Sequence, residues 1–324
     1  MLMSVLLFAV GLVLLIKGGD WFVDGATGLA KRFNLPDIVV GATVVSIGTT
    51  LPEVMVSTTG ALQGSGAMAY GNAIGSIICN TALIAAISIT CNPGPVNVKS
   101  MKTPAVFFFC SAAIYCLAAY GLGTFPRWLG FVMLIVFVIY MFMTVRNGLK
   151  NPDAAGEEEE ESSKPKALWQ ELLLLIIGAA IIAVGADLLV EHGQVIALGL
   201  GVPETVVALL FVALGTSLPE LVTTITSLKK GRASLGVGNV IGENIFNLVL
   251  VSGVAVSLAP FDVPVENELL NTGLNLSLVF DIPLMLGVMS LMIFPALLNK
   301  KLSRWQGIVL LCIYVAFCIC QFML

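Results

Sequence analysis

The sequence predicts an all-α polytopic membrane protein, with ten transmembrane helices arranged as two inverted five-helix repeats. Three observations predict it. The 324 residues are 58% hydrophobic and only 11% charged, too little charge to cover a water-soluble surface. Ten apolar stretches approach the ~20 residues that cross a bilayer. The second half of the chain repeats the first in register.

The apolar segments predict helices near 3–30, 37–61, 67–91, 103–121, 128–147, 168–190, 204–228, 234–258, 275–297 and 305–323. The first lacks a basic leader segment and its pattern recurs later, so it reads as a span rather than a signal peptide. Basic residues orient the set. Lys31, Arg32, Lys99, Lys102, Arg146, Lys150, Lys164, Lys166, Lys229, Lys230, Arg232, Lys300, Lys301 and Arg304 all follow odd-numbered spans. Only Arg127 follows an even one, and Lys17 lies within the first helix. By the positive-inside rule the odd loops are cytoplasmic and both termini lie outside the cell membrane. Trp128, Trp169 and Trp305 fall at helix ends, where interfacial tryptophans belong. Residues 151–166, NPDAAGEEEEESSKPK, read as an acidic cytoplasmic linker rather than a cation sensor. The expected division is 1–150 for the first repeat, 151–166 for the linker and 167–324 for the second repeat.

The repeat has an offset of 167. VSIGTTLPE at 45–53 matches VALGTSLPE at 212–220, and GNAIGSIICN at 71–80 matches GNVIGENIFN at 238–247. The register runs ungapped from 45 to 80 with 14 of 36 positions identical. Upstream, Gly18 pairs with Gly185, Asp20 with Asp187, Val23 with Val190 and Pro36 with Pro203. Five spans per unit, an odd number, makes the second copy enter the membrane from the opposite side. Inverted repeats place a substrate site near the midplane, between the copies.

Glu53 and Glu220 stand deep in apolar spans, where insertion scales charge about +2.5 to +3.5 kcal/mol for an acid. Spans two, three, seven and eight hold no Lys or Arg, so a mobile cation is the natural partner. Before each glutamate stands a Gly-Thr-[Thr/Ser]-Leu-Pro segment: Thr49 and Thr50, then Thr216 and Ser217. Proline removes a helix bond and glycine loosens the turn, so a kink that frees carbonyl oxygens is expected there. Such backbone is tolerated at this depth where it lines a site. The bland alternative for the hydroxyls is bonding back to the i−4 carbonyl. On spans three and eight, Asn72, Ser76 and Asn80 share a face, as do Asn239, Glu243 and Asn247. Asn72 and Asn239 are expected to bond between helices, and Gly71, Gly75, Gly238 and Gly242 to let helices approach. Ser76, Asn80, Glu243 and Asn247 are the better ligand candidates. The resulting set is all oxygen, which suits calcium and sodium. His192 is the sole histidine and the seven cysteines form no CxxC pair, which argues against zinc or iron–sulfur chemistry.

The paired GT[ST]LPE and GNxxGxxxxN motifs resemble the cation/calcium exchanger superfamily, in its sodium/calcium exchanger branch of prokaryotic type. The resemblance covers both repeats. It implies electrogenic antiport of sodium against calcium, commonly three to one, with no enzymatic activity and no cofactor. It implies that Glu53 and Glu220 are shared central ligands. Thr49, Thr216, Thr50 and Ser217 would add oxygens, with Ser76 at a flanking sodium site. Carbonyls of Ser46 and Ala213 would contribute, and Asn80 and Asn247 would complete the middle. The first and sixth helices would slide against the rest to switch access. Three positions depart from the pattern. Thr50 replaces a serine, Glu243 stands where serine is typical, and Asn247 stands where some members carry aspartate. Asn247 argues against potassium cotransport, and Glu243 leaves open altered stoichiometry or proton coupling.

The partners expected are the lipid bilayer, calcium and sodium, with no nucleic acid and a monomer as the unit. Rival readings are a calcium/proton exchanger of the same superfamily, a cation channel, and an intramembrane acid protease using the two glutamates as an acid/base pair. Asp20, Asp24, Asp187 and Glu191 are expected to line a vestibule or to pair, Asp20 with Lys17 for instance.

Overall fold

The computed structural model describes residues 2–33, 35–150, 167–200, 216–264, 275 and 277–323. Linker 151–166 and the first half of the span expected at 204–228 lie outside the described residues, as does Ala213. The described chain is predominantly helical. The helices are α1 Leu2–Arg32, α2 Asp37–Thr49, α3 Leu51–Leu62, α4 Gly66–Cys91, α5 Val98–Leu122 and α6 Arg127–Lys150. Then come α7 Leu168–Gly199, α8 Leu218–Lys229, α9 Ala233–Leu258, α10 Ser277–Asn299 and α11 Arg304–Met323. Among the described residues seven helices are long and apolar enough to cross a bilayer, or eight if the bent pair α2–α3 is one span.

The elements recur as the sequence does. Leu218 opens α8 167 positions after Leu51 opens α3, and Ala233 opens α9 167 positions after Gly66 opens α4. Two-residue strands recur too: β1 Gly94–Pro95, β2 Thr124–Phe125, β3 Phe261–Asp262 and β4 Lys301–Leu302. The pair β1 and β3 keeps the offset of 167, whereas β2 and β4, like α6 and α11, stand 177 apart. The register slips by ten positions between β3 and β4. Antiparallel ladders join β1 to β4 and β2 to β3, so each ladder ties one half of the chain to the other. At the β2–β3 ladder the Phe125 ring packs at a tilt against Phe261, centroids 5.3 Å apart, and against Tyr115, 4.7 Å apart.

The long helices α1 and α7 pack along each other through glycine. A Cβ on Gly11 would stand 2.9 Å from the carbonyl oxygen of Gly185, and one on Gly18 would stand 3.0 Å from that of Gly178. Their order runs in opposite directions, so the two helices are antiparallel, and only glycine permits backbones this close. At one end Arg32 bonds Glu171 at 3.0 Å. Beside this pair Lys230, at the end of α8, bonds Asp24 at 2.7 Å and approaches Asp20 at 3.7 Å. Asp20 therefore takes Lys230, across helices, rather than the Lys17 expected from spacing alone.

These two ties differ in worth. The Glu171 side chain is only 4% exposed, whereas that of Asp24 is 47% exposed. Water screens the second pair, which contributes below about 1 kcal/mol. Arg32→Ala leaves a buried carboxylate without its guanidinium and is expected to cost about 1–3 kcal/mol, discounted because Arg32 is itself part-exposed. Thermal midpoints in detergent check this ranking: Arg32→Ala falls by several degrees, and Lys230→Ala scarcely moves.

The core sits around α4, α5, α9 and α10. There α9 crosses α2 at backbone distance. A Cβ on Gly238 would meet Ile38 Cα at 2.8 Å, and one on Gly242 would meet Ala42 Cα at 2.6 Å. Both glycines thus do what the sequence predicts. No described atom lies within 4 Å of a Cβ built on Gly71 or Gly75, and the segment aligned with α2 by the repeat, 204–215, is outside the described residues.

Candidate functional site

The site forms where α2, α3, α4, α8 and α9 meet. The Gly48–Pro52 segment breaks the helix as expected: α2 ends at Thr49, α3 starts at Leu51, and the two differ in direction by 47°. Pro52 fits there because the first turn of a helix needs no donor at that position. The break puts Glu53 in the first turn of α3, and Glu220 likewise in the first turn of α8 after Pro219. Each carboxylate therefore faces the positive end of its own helix dipole. Both are 1% exposed.

The central geometric feature is a set of buried oxygens with no hydrogen-bond partner. They include Thr50 Oγ1, both Glu53 carboxylate oxygens, Asn80 Oδ1, Ser217 Oγ, Glu220 Oε2 and Asn247 Oδ1. Buried polar atoms are nearly always paired in folded proteins. Seven such oxygens fall at equivalent positions of the repeat: Thr50 with Ser217, Glu53 with Glu220, Asn80 with Asn247.

Other expected members take fixed partners. The Thr49 hydroxyl reaches both the Val45 carbonyl, at 3.3 Å, and Glu243 Oε1 in a short contact. The bland i−4 bond and the contact with an acid thus coexist. Asn80 Nδ2 donates to Glu243 Oε2 at 3.5 Å. Ser46 Oγ contacts the Gly41 and Asn239 carbonyls, at 2.9 and 3.0 Å. The Ser46 carbonyl accepts from Thr50 N at 3.0 Å, which leaves it a second lone pair. Ser76 is buried on α4, and Thr216 is half-buried in the turn before α8. Asn72 bonds Ser57 Oγ at 2.8 Å and the Glu53 carbonyl at 3.3 Å, and Asn239 meets Ser46. Both are the interhelical contacts expected. Asn244 turns away, donating to Thr81 Oγ1 at 2.7 Å. Among the described residues no three acid, histidine or cysteine side chains converge into a metal grip, so a cation shell here would need hydroxyl, amide or carbonyl oxygens beside its carboxylates.

Two features escape sequence reasoning. Widened π-helical turns start at Asn80 and at Asn247, over Asn80–Ala85 and Asn247–Val251. Such turns re-aim side chains and cluster at functional sites, but no residue pattern announces them. The second is a hydroxyl stripe on α8: Thr223, Thr224 and Ser227, buried and unpartnered. Their spacing from Glu220 is i+3, i+4 and i+7, one helical face, and that signal was readable.

Fold and site together define a polytopic membrane protein with an acidic, oxygen-lined interior. A family described as "Sodium/calcium exchanger protein" matches residues 3–146 and 171–323, and this chain belongs to it. It is 30% identical to the sodium/calcium exchanger MaX1 of Methanosarcina acetivorans, over 98% of each chain. It is 35% identical to an uncharacterized membrane protein of Methanocaldococcus jannaschii, over 95% of this chain and 94% of that one. It is also similar to a solved structure of the sodium-calcium exchanger NCX_Mj soaked with Na+ and Sr2+. That likeness has a TM-score of 0.78 and 33% identity, over 97% of both chains.

Proposed function

We propose that this chain exchanges sodium for calcium across the cell membrane by alternating access. The observation that carries the reading is the set of unpartnered buried oxygens at equivalent positions of the two halves. Such atoms are costly unless a ligand meets them, and a hard cation meets all of them at once. Its ligands are Glu53 and Glu220 at the centre, with Thr49, Thr50, Thr216, Ser217, Ser76, Asn80, Glu243 and Asn247. The carbonyls of Ser46 and Ala213 complete the set. Calcium and sodium compete for the same carboxylates, so the two loads exclude each other. Each full load lowers the cost of burying the acids and permits the switch.

The reading includes ten spans in two inverted repeats, 1–150 and 167–324, with both termini outside and 151–166 cytoplasmic. The glycine contacts support inversion. Gly11 meets Gly185 and Gly18 meets Gly178, while Gly178 and Gly185 are the repeat equivalents of Gly11 and Gly18. That reciprocity is what a two-fold axis between the copies produces. The pair α1–α7 is the element that slides, and a single chain is the working unit.

Tracer calcium uptake into proteoliposomes tests the function. Sodium-loaded vesicles are expected to accumulate calcium, and vesicles with equal sodium on both sides are not. Uptake driven by a pH gradient without sodium would replace this reading with calcium/proton exchange.

A further inference from the structure

Asn244 follows Glu243 on α9, and Thr81 follows Asn80 in the widened turn Asn80–Ala85 of α4. The Asn244 amide donates to Thr81 Oγ1 at 2.7 Å, and the Asn80 amide donates to Glu243 Oε2 at 3.5 Å. Two neighbouring bonds thus cross between the same two helices. One joins proposed ion ligands, and the other joins the residues next to them. Met289 of α10 closes the second bond: its sulfur lies 3.1 Å from both Asn244 Nδ2 and Thr81 Oγ1. Asn244, Thr81 and Met289 are all fully buried, so water does not compete for this contact.

The first half of the chain lacks the polar pair. By the offset of 167, Asn80 and Glu243 correspond to Asn247 and Ser76, while Thr81 and Asn244 correspond to Leu248 and Ile77. Those two are apolar and equally buried. A leucine at 244 would resemble them and would also remove a cost, because Asn244 Oδ1 is buried with no hydrogen-bond partner. A polar contact kept in a core at such a cost specifies geometry.

We propose that Asn244 is a positioning residue: through Thr81 it fixes the separation of Asn80 and Glu243, and so makes the ion site select calcium over larger divalent cations. This rests on the reading that Asn80 and Glu243 are ligands. Selection among hard cations depends on the size and flexibility of the oxygen cage. Groups behind the ligands hold them in place. On the side of Asn80 and Glu243 a directional bond sets the spacing. On the side of Ser76 and Asn247 apolar packing sets it, and apolar packing has no direction. Without the Asn244–Thr81 bond the cage loosens, which costs calcium its fit and costs barium, a larger ion, nothing.

The test reads the rise in thermal midpoint of the purified full chain against calcium or barium concentration, which measures binding without transport. Asn244→Leu and Thr81→Val each remove the bond with little change of shape. Each is expected to weaken calcium about 10-fold and to leave barium within about 2-fold, so the preference for calcium shrinks about 10-fold. The ion-free midpoint of Asn244→Leu is expected to hold or rise. Thr81→Ser keeps the hydroxyl and is expected to keep the wild-type preference. The double variant is expected to match either single one, since both break one contact. A lower ion-free midpoint with both ions weakened alike would mark a merely structural role and overturn the proposal. So would an unchanged preference in Thr81→Val, which decides the matter even where Asn244→Leu does not fold. A wild type that binds no calcium sinks the ion site and the positioning role together. The expected shifts without sodium-driven uptake in proteoliposomes would uphold the positioning role and sink the exchange reading alone.

Discussion

Glu53→Gln and Glu220→Gln are each expected to abolish sodium-driven calcium uptake and to lower calcium affinity by about 100-fold or more. Removing one partner of a buried charge pair costs about 3–5 kcal/mol, which corresponds to roughly 140- to 3,700-fold at ~1.4 kcal/mol per decade. In the function proposed above, the partner is the cation itself. Both glutamates lie buried, at equivalent first-turn positions of α3 and α8, so neither substitutes for the other. Stability separates this role from a structural one. A neutral amide removes an unpaired acid from the interior, so the thermal midpoint without calcium is expected to hold or rise. The calcium-induced rise in midpoint, which measures binding, is expected to vanish. A variant that keeps that rise would show that its glutamate is not a ligand.

Gly242→Leu is expected to unfold the protein or leave it inactive. A Cβ at this position would stand 2.6 Å from Ala42 Cα and 2.7 Å from the Ala42 carbonyl oxygen. These are backbone atoms of α2 and cannot rotate away. Overpacking a core costs about 1–3 kcal/mol where side chains can adjust, and more where the neighbour is a helix backbone. The displaced α2 carries Ser46 and Thr49, two of the proposed ligands, so ion binding is expected to fail with stability. Gly287→Ala on α10, with no described atom within 4 Å of its Cβ, is the control and is expected to keep its midpoint. Detergent-solubilised yield, midpoint and calcium uptake of both variants decide the matter.

What the sequence made legible follows from local chemistry. The bend at Thr50 was readable because Gly48 and Pro52 weaken one turn whatever surrounds it. The glycines of α9 were readable because small residues at helical spacing announce a close neighbour. The family was readable from paired motifs. The pairing of Asp20 was not, because spacing along one helix suggests Lys17 while the partner, Lys230, is 210 residues away. The π-turns at Asn80 and Asn247 have no compositional mark. The ladders Gly94–Pro95 with Lys301–Leu302 and Thr124–Phe125 with Phe261–Asp262 are two residues wide, too short for any alternation to show.

Those ladders have a mechanical consequence. Each joins the two halves of the chain, and by the orientation proposed here one lies at the cytoplasmic rim and the other at the outer rim. The bundle is stapled at head and foot. The long pair α1–α7 belongs to neither staple, so a displacement of that pair along its neighbours would leave every ladder bond intact. The frame and the proposed moving part are already distinguished by which strands the loops contain.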